Sequence, residues 1–185
     1  MSWDPVWEQV FTGQEWGKYP PEDLIRFIAR NFYNVENRKE IKILEVGCGP
    51  GANLWFLARE GFKIFGIDGS QAAITYAENR LNTECPNWRG ELTVGDFSIL
   101  PYPDNYFDAV VDIEAVYCNP YATSKQIYSE MARVVRGGGE VIFTDFRDRM
   151  LGGQNRRNGR AQCMDCCRRS YGREGLYKIY RYKRG

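Results

Sequence analysis

The residues best placed to do chemistry cluster in one stretch. Glu45 precedes three glycines at alternate positions, Gly47, Gly49 and Gly51, and a second acid, Asp68, follows one helix-length later. An apolar run, Ile41 to Val46, leads into the glycines, and Ala52 to Ala58 follows them. This order reads as a buried strand, a glycine turn and the start of a helix. Such a turn brings bare backbone and a helix N-terminus against a ligand. Asp68 closes a second strand, where a carboxylate can accept from both vicinal hydroxyls of a ribose. Asp96 closes a third after Val94-Gly95, and the run Asp112 to Asn119 lies beyond a fourth. The chain has no histidine. Histidine-ligated metal and the commonest general base are thereby excluded, so proton transfer falls to carboxylate, tyrosine, lysine, cysteine or water.

The elements that must hold these residues alternate. Strands are predicted near 41–46, 63–67, 91–94, 108–113 and 139–145. Helices are predicted near 51–60, 70–82 and 121–136, with Ser70 as an N-cap. Before this core, Asp4-Pro5 opens a short helix to about Phe11, and Pro21 opens a second. Leu24, Phe27, Ile28 and Phe32 give that second helix an apolar stripe. Strand–helix alternation implies a doubly wound α/β fold, with a mostly parallel sheet and helices on both faces. The ligand belongs at the carboxyl ends of the strands, where strand order reverses. Each acid named above falls at such an end.

A lone glycine pattern is weak, but here it continues. Gly95-Asp96-Phe97, the run Leu100 to Asp108, and Met131 to Gly139 follow in order. Together with Glu45-x-Gly47-x-Gly49-x-Gly51 and Asp68, the chain over residues 36–146 resembles the class I S-adenosylmethionine-dependent methyltransferases of the small-molecule type. The resemblance implies a Rossmann-like sheet and S-adenosyl-L-methionine as cofactor. It implies methyl transfer to a small-molecule acceptor by in-line displacement. By the same resemblance, Gly47 and Gly49 admit the methionine portion of the cofactor, with Cys48, Gly51 and Asn53 in the same turn and helix start. Glu45 takes the amino group and Asp68 the ribose. Asp96 and the Phe97 N–H read adenine, walled by Gly69 and Phe97. Asp112 lies near the methionine moiety. Glu114 and Tyr117 are candidate acid–base or orienting groups facing the acceptor. Tyr19 is the aromatic expected to close over the cofactor, which adds it to the catalytic set.

Three segments follow from this reading: residues 1–35 as a helical lid segment, 36–146 as the cofactor-binding core, and 147–185 as a basic tail. The net charge of +1 conceals a contrast, −8 over residues 1–146 and +9 over 147–185. The tail is poor in branched aliphatics. The family's last helix and two-stranded hairpin are therefore expected to be missing or irregular, as a disrupted reading frame would leave them. Only Leu176 to Lys183 suits a strand. Cys163, Cys166 and Cys167 lack a fourth ligand and make a poor zinc site, so no metal is expected. The other cysteines are scattered and no signal peptide or apolar membrane span is visible, which points to a reduced, cytoplasmic protein, monomeric or homodimeric, with no membrane or nucleic-acid partner. Two alternatives stand beside the enzyme: a cofactor-binding protein with impaired turnover, and an RNA methyltransferase docking through the basic tail.

Overall fold

The computed structural model describes residues 3–146 and 177–183. Two helices come first, α1 (Val6–Gly13) and α2 (Glu22–Phe32). The core then runs β1 (Lys42–Val46), α3 (Ala52–Arg59), β2 (Lys63–Asp68), α4 (Gln71–Glu84), β3 (Arg89–Val94), β4 (Phe107–Ile113), α5 (Tyr121–Val134) and β5 (Val135–Phe146), with β6 (Tyr177–Lys183) last. The sheet order is β3-β2-β1-β4-β5-β6. Strands β1 to β5 are parallel, and β6 is antiparallel to β5. Strand order reverses between β1 and β4, so a cleft opens at their carboxyl ends.

Side-chain alternation builds the two layers. Ile43, Ile64, Ala109, Val111 and Ile142 point to one face, where Leu24, Phe27, Ile28, Leu54 and Leu57 of α2 and α3 cover them. Leu44, Phe65, Val110 and Val141 point to the other, against Ile127, Met131 and Val134 of α5. A central parallel strand is buried on both faces and so is mostly apolar; β1 and β2 follow this, with Lys42 and Lys63 at their starts and the acids Glu45 and Asp68 near their carboxyl ends. Edge strand β3 is mostly exposed.

The first helix opens as expected, with the Asp4 carboxylate accepting from the Val6 N–H at 3.1 Å. Ser70 caps α4, its Oγ accepting from the Ala73 N–H at 3.1 Å. One expectation needs correction. Strand β5 begins at Val135, earlier than 139, because its register shifts between Phe107 and Ala109 and residues 136–139 bulge from the ladder. Asp108 pins that bulge, accepting from Arg136 Nε at 2.7 Å and from the Lys42 N–H at 2.8 Å. The segment Leu176 to Lys183, which alone in the tail suits a strand, supplies β6, and β6 pairs along β5 from Glu140 to Phe146. The expected loss of the hairpin's other parts falls on residues outside those described, as do Cys163, Cys166 and Cys167.

Candidate cofactor site

The glycine turn is tied to the end of β2. The Gly47 and Cys48 N–H groups donate to the Ile67 carbonyl at 2.8 and 3.2 Å. The Gly49 N–H donates to Asp68 Oδ2 at 2.8 Å. All three glycines sit at positive φ, +65° at Gly47, +49° at Gly49 and +81° at Gly51, a conformation that glycine adopts at little cost. Their surroundings differ. A Cβ on Gly47 would stand 2.2 Å from the Ala115 Cβ, and one on Gly51 2.8 Å from the Ala77 Cβ. Those two glycines admit neighbouring protein, whereas the sequence reading gave Gly47 to a ligand. Gly49 alone has room, its nearest neighbour being the Phe11 ring at 3.5 Å.

Three acids meet around this turn, each at a strand end. Glu45 is 1% exposed, and its Oε1 accepts from Asn53 Nδ2 at 2.6 Å. Burial, reinforced by Asp112 and Asp68, pushes its carboxyl up to about 8 against the relief that Asn53 provides. Glu45 Oε2 and Asn53 Oδ1 are buried without hydrogen-bond partners. Asp68 is buried and also pushed up, although the Gly49 and Ser70 N–H groups moderate the rise. The same burial, with Asp68 and Glu45 nearby, lifts the Cys48 thiol well above its ordinary range. Asp112 pairs with Val46 in register. Its Oδ1 accepts from the Ala115 and Val116 N–H groups at 3.0 and 3.1 Å, which starts the 3-10 turn Val116–Cys118.

The remaining expected residues ring this centre. Val94 pairs with Asp68, and the Gly95 N–H donates to the Asp68 carbonyl at 2.9 Å, so Asp96 follows directly beside the site. Asp96 Oδ1 accepts from the Ser98 N–H at 2.9 Å. Phe97 is buried, and its ring edge lies 3.8 Å from the position of a Cβ on Gly47. Glu114 holds φ +64°, a strained conformation for a non-glycine residue. Tyr117 lies in the 3-10 turn behind it. Tyr19 is 74% exposed, and its ring packs edge-on against Trp55 at 5.6 Å.

Aromatic side chains from α1 and from the segment before it pack on the turn and on Gly69. Phe11 stands over Gly49, and Trp3 lies so tightly on Gly69 that a Cβ there would overlap it. Glu8 reaches across to α4, accepting from Ser70 Oγ at 2.6 Å and from the Ala72 N–H at 3.1 Å. A carboxylate at a helix N-terminus is favourable, because it satisfies an otherwise unpaired N–H and complements the helix dipole. Sequence reasoning missed Glu8, Trp3 and Phe11. The readable signal was the i, i+4 spacing of Trp7 and Phe11, whose rings stack on one face of α1.

Residues 43–139 match the family described as "Methyltransferase domain". The chain belongs to the class I S-adenosylmethionine-dependent methyltransferases. It is 31% identical to a fatty-acid O-methyltransferase of Mycolicibacterium smegmatis, over 69% of this chain and 46% of that one. A sterol 24-C-methyltransferase of Gibberella zeae is 39% identical, over 58% of this chain and 29% of its own length. This methyltransferase chain thus spans about half the length, or less, of those curated relatives. A solved S-adenosylmethionine-dependent methyltransferase from Methanosarcina mazei is 28% identical, covering 58% of this chain and 53% of its own, with a TM-score of 0.52. The cofactor that membership brings is S-adenosylmethionine. Its donor and acceptor chemistry fits the residues present. Two buried acceptors, Glu45 Oε2 and Asn53 Oδ1, suit an ammonium group. The Asp68 carboxylate suits a diol, and Gly49 itself carries no Cβ, the Phe11 ring being the neighbour on that side.

No described helix is long and apolar enough to cross a membrane, and no described cluster of His, Cys, Asp or Glu could hold a metal ion.

Proposed function

We propose that this chain is a cytoplasmic S-adenosylmethionine-dependent methyltransferase acting on a small lipophilic acceptor. One observation carries the reading: two buried acids, Glu45 and Asp68, flank a glycine turn, and beside them Glu45 Oε2 and Asn53 Oδ1 are acceptors that the protein itself does not use. Bound S-adenosylmethionine supplies a methyl group on a positively charged sulfur, ready for displacement. The residues of the chain supply binding, alignment and exclusion of water. Asp68 takes the ribose hydroxyls, Glu45 and Asn53 take the amino group, and Asp96 with the Phe97 N–H takes the adenine edge. Ordering two reactants in this way lowers a barrier by ~7–11 kcal/mol. Glu114 and Tyr117, beyond the end of β4, are the groups placed to orient an acceptor or remove its proton. Tyr19, exposed in the segment before α2, is the aromatic assigned to close over the cofactor. The acceptor class rests on the relatives, whose names specify a fatty acid and a sterol.

Incubation with methyl-labelled S-adenosylmethionine tests the proposal. Label should pass into a panel of fatty acids, sterols and quinols, and not into polar amines or RNA. Tight cofactor binding with no transfer to any acceptor would favour a binding protein instead. Transfer to RNA would overturn the acceptor class.

A further inference from the structure

Glu45 is surrounded by acids on every side that packs against it. Asp68 faces it from β2, Asp112 from β4 and the Cys48 thiol from the turn, while α3 contributes the neutral amide of Asn53. Glu8 of α1 adds its negative charge against Asp68. No lysine or arginine pairs with Glu45 or Asp68 among the described residues. Asn53 contributes one donor, 2.6 Å from Oε1, which leaves Glu45 Oε2 and Asn53 Oδ1 as two buried acceptors. A buried carboxylate in such a setting holds its proton at neutral pH until a cation arrives.

We infer that Glu45 and Asn53 form a proton-exchanging receptor for the ligand's ammonium group, with Glu45 protonated in the ligand-free protein and ionised in the complex. The inference rests on the cofactor assignment above and adds a proton to its stoichiometry. The neutral carboxyl of Glu45 and the incoming ammonium become a carboxylate–ammonium pair, and one proton leaves to water. No other bond changes. Asn53 is a positioning residue: its N–H bond stabilises the carboxylate form and sets the pH at which the exchange occurs.

Calorimetry in buffers of different ionisation enthalpy tests this, with S-adenosylhomocysteine as the probe because it carries the ammonium and no sulfonium. Close to one proton should be released at pH 7, and affinity should rise about tenfold per pH unit between pH 6 and 7. Methylthioadenosine, which lacks the amino-acid portion, should bind without releasing a proton. Glu45→Gln should abolish the release and flatten the pH profile. Asn53→Leu should move the profile to higher pH, a shift that a merely structural role would not produce. The ligand-free protein should also show a protonated-carboxyl infrared band at pH 7 that Glu45→Gln removes. S-adenosylhomocysteine binding with buffer-independent enthalpy, or absence of that band in the wild type, would overturn the inference alone. Failure of S-adenosylhomocysteine and S-adenosylmethionine to bind at all would overturn the cofactor assignment with it.

Discussion

Asp68 Oδ2 accepts the Gly49 N–H at 2.8 Å, so the end of β2 holds the glycine turn in place from nineteen residues away. Its other oxygen accepts the Ser70 N–H at 2.9 Å. One carboxylate thus shapes the turn and leads into α4, and it is the group proposed to take the ribose.

Asp68→Ala should therefore lose more than affinity. Charge-assisted hydrogen bonds contribute ~1.5–3 kcal/mol each, and two backbone donors would be left behind. We expect a clear fall in melting temperature together with loss of S-adenosylmethionine binding. Asp68→Asn should recover stability in part, through the Ser70 bond, without recovering affinity. Thermal denaturation and titration calorimetry on both variants measure the two effects, and unchanged affinity in Asp68→Ala would remove the ribose role.

Stability of the ligand-free protein should fall as pH rises from about 5 to 8. Glu45 titrates at about 8 when folded, against an ordinary value of 4.5. Between those values the folded chain holds a proton that the unfolded chain has released. Folding therefore loses up to ~1.4 kcal/mol per pH unit from this group. Asp68, also raised, adds in the same direction. Glu130, held low by Arg133, acts at the acid end, below that window. Urea denaturation at pH 5.5, 6.5 and 7.5 should show the decline, and Glu45→Gln should reduce it.

Glu8→Ala should loosen α1. The substitution removes the partner of the Ser70 hydroxyl and the Ala72 N–H. Limited proteolysis should then cut the connection at residues 14–21 faster than in the wild type. An unchanged cleavage rate would mean that the aromatic packing of Trp7, Phe11 and Trp16 holds the segment alone.

Arg133→Met should destabilise the chain by ~1.5–3 kcal/mol or more. Its guanidinium spans from α5 to the loop before β4, donating to the Leu100 carbonyl at 3.0 Å, the Tyr102 carbonyl at 2.8 Å and the Asp104 carboxylate at 2.8 Å. Glu130 holds the arginine in place at 2.7 Å. Chemical denaturation should register the loss, and Arg133→Lys should not restore it, because an ammonium cannot span these acceptors.

What could be read in the sequence was what is local. The continuous apolar runs at β1, β2 and β4 gave their strands within a residue, and the glycine turn with Glu45 and Asp68 gave the site. The start of β5 escaped because residues 137–139 are glycines, which read as loop, while Asp108 and Arg136 fix them as a bulge inside the ladder. Glu8 escaped because its partners lie more than sixty residues away and nothing in its own neighbourhood marks it. Phe11 and Trp3 escaped because nothing local marks which glycine an aromatic will pack on. Strand β6 was legible as Leu176 to Lys183, but its antiparallel pairing with β5 was not, because a pairing across thirty residues leaves no local mark.

The contact between Gly47 and Ala115 limits how this chain could be redesigned. The loop that carries Glu114 and Tyr117 rests in a notch that only a missing Cβ provides. Enlarging residue 115 should push that loop and the glycine turn apart together. With Glu114 and Tyr117 facing the acceptor as proposed, a change of acceptor preference is to be sought at those two positions, with residue 115 kept at alanine size. Libraries that randomise position 115 should consist largely of members that lose cofactor binding.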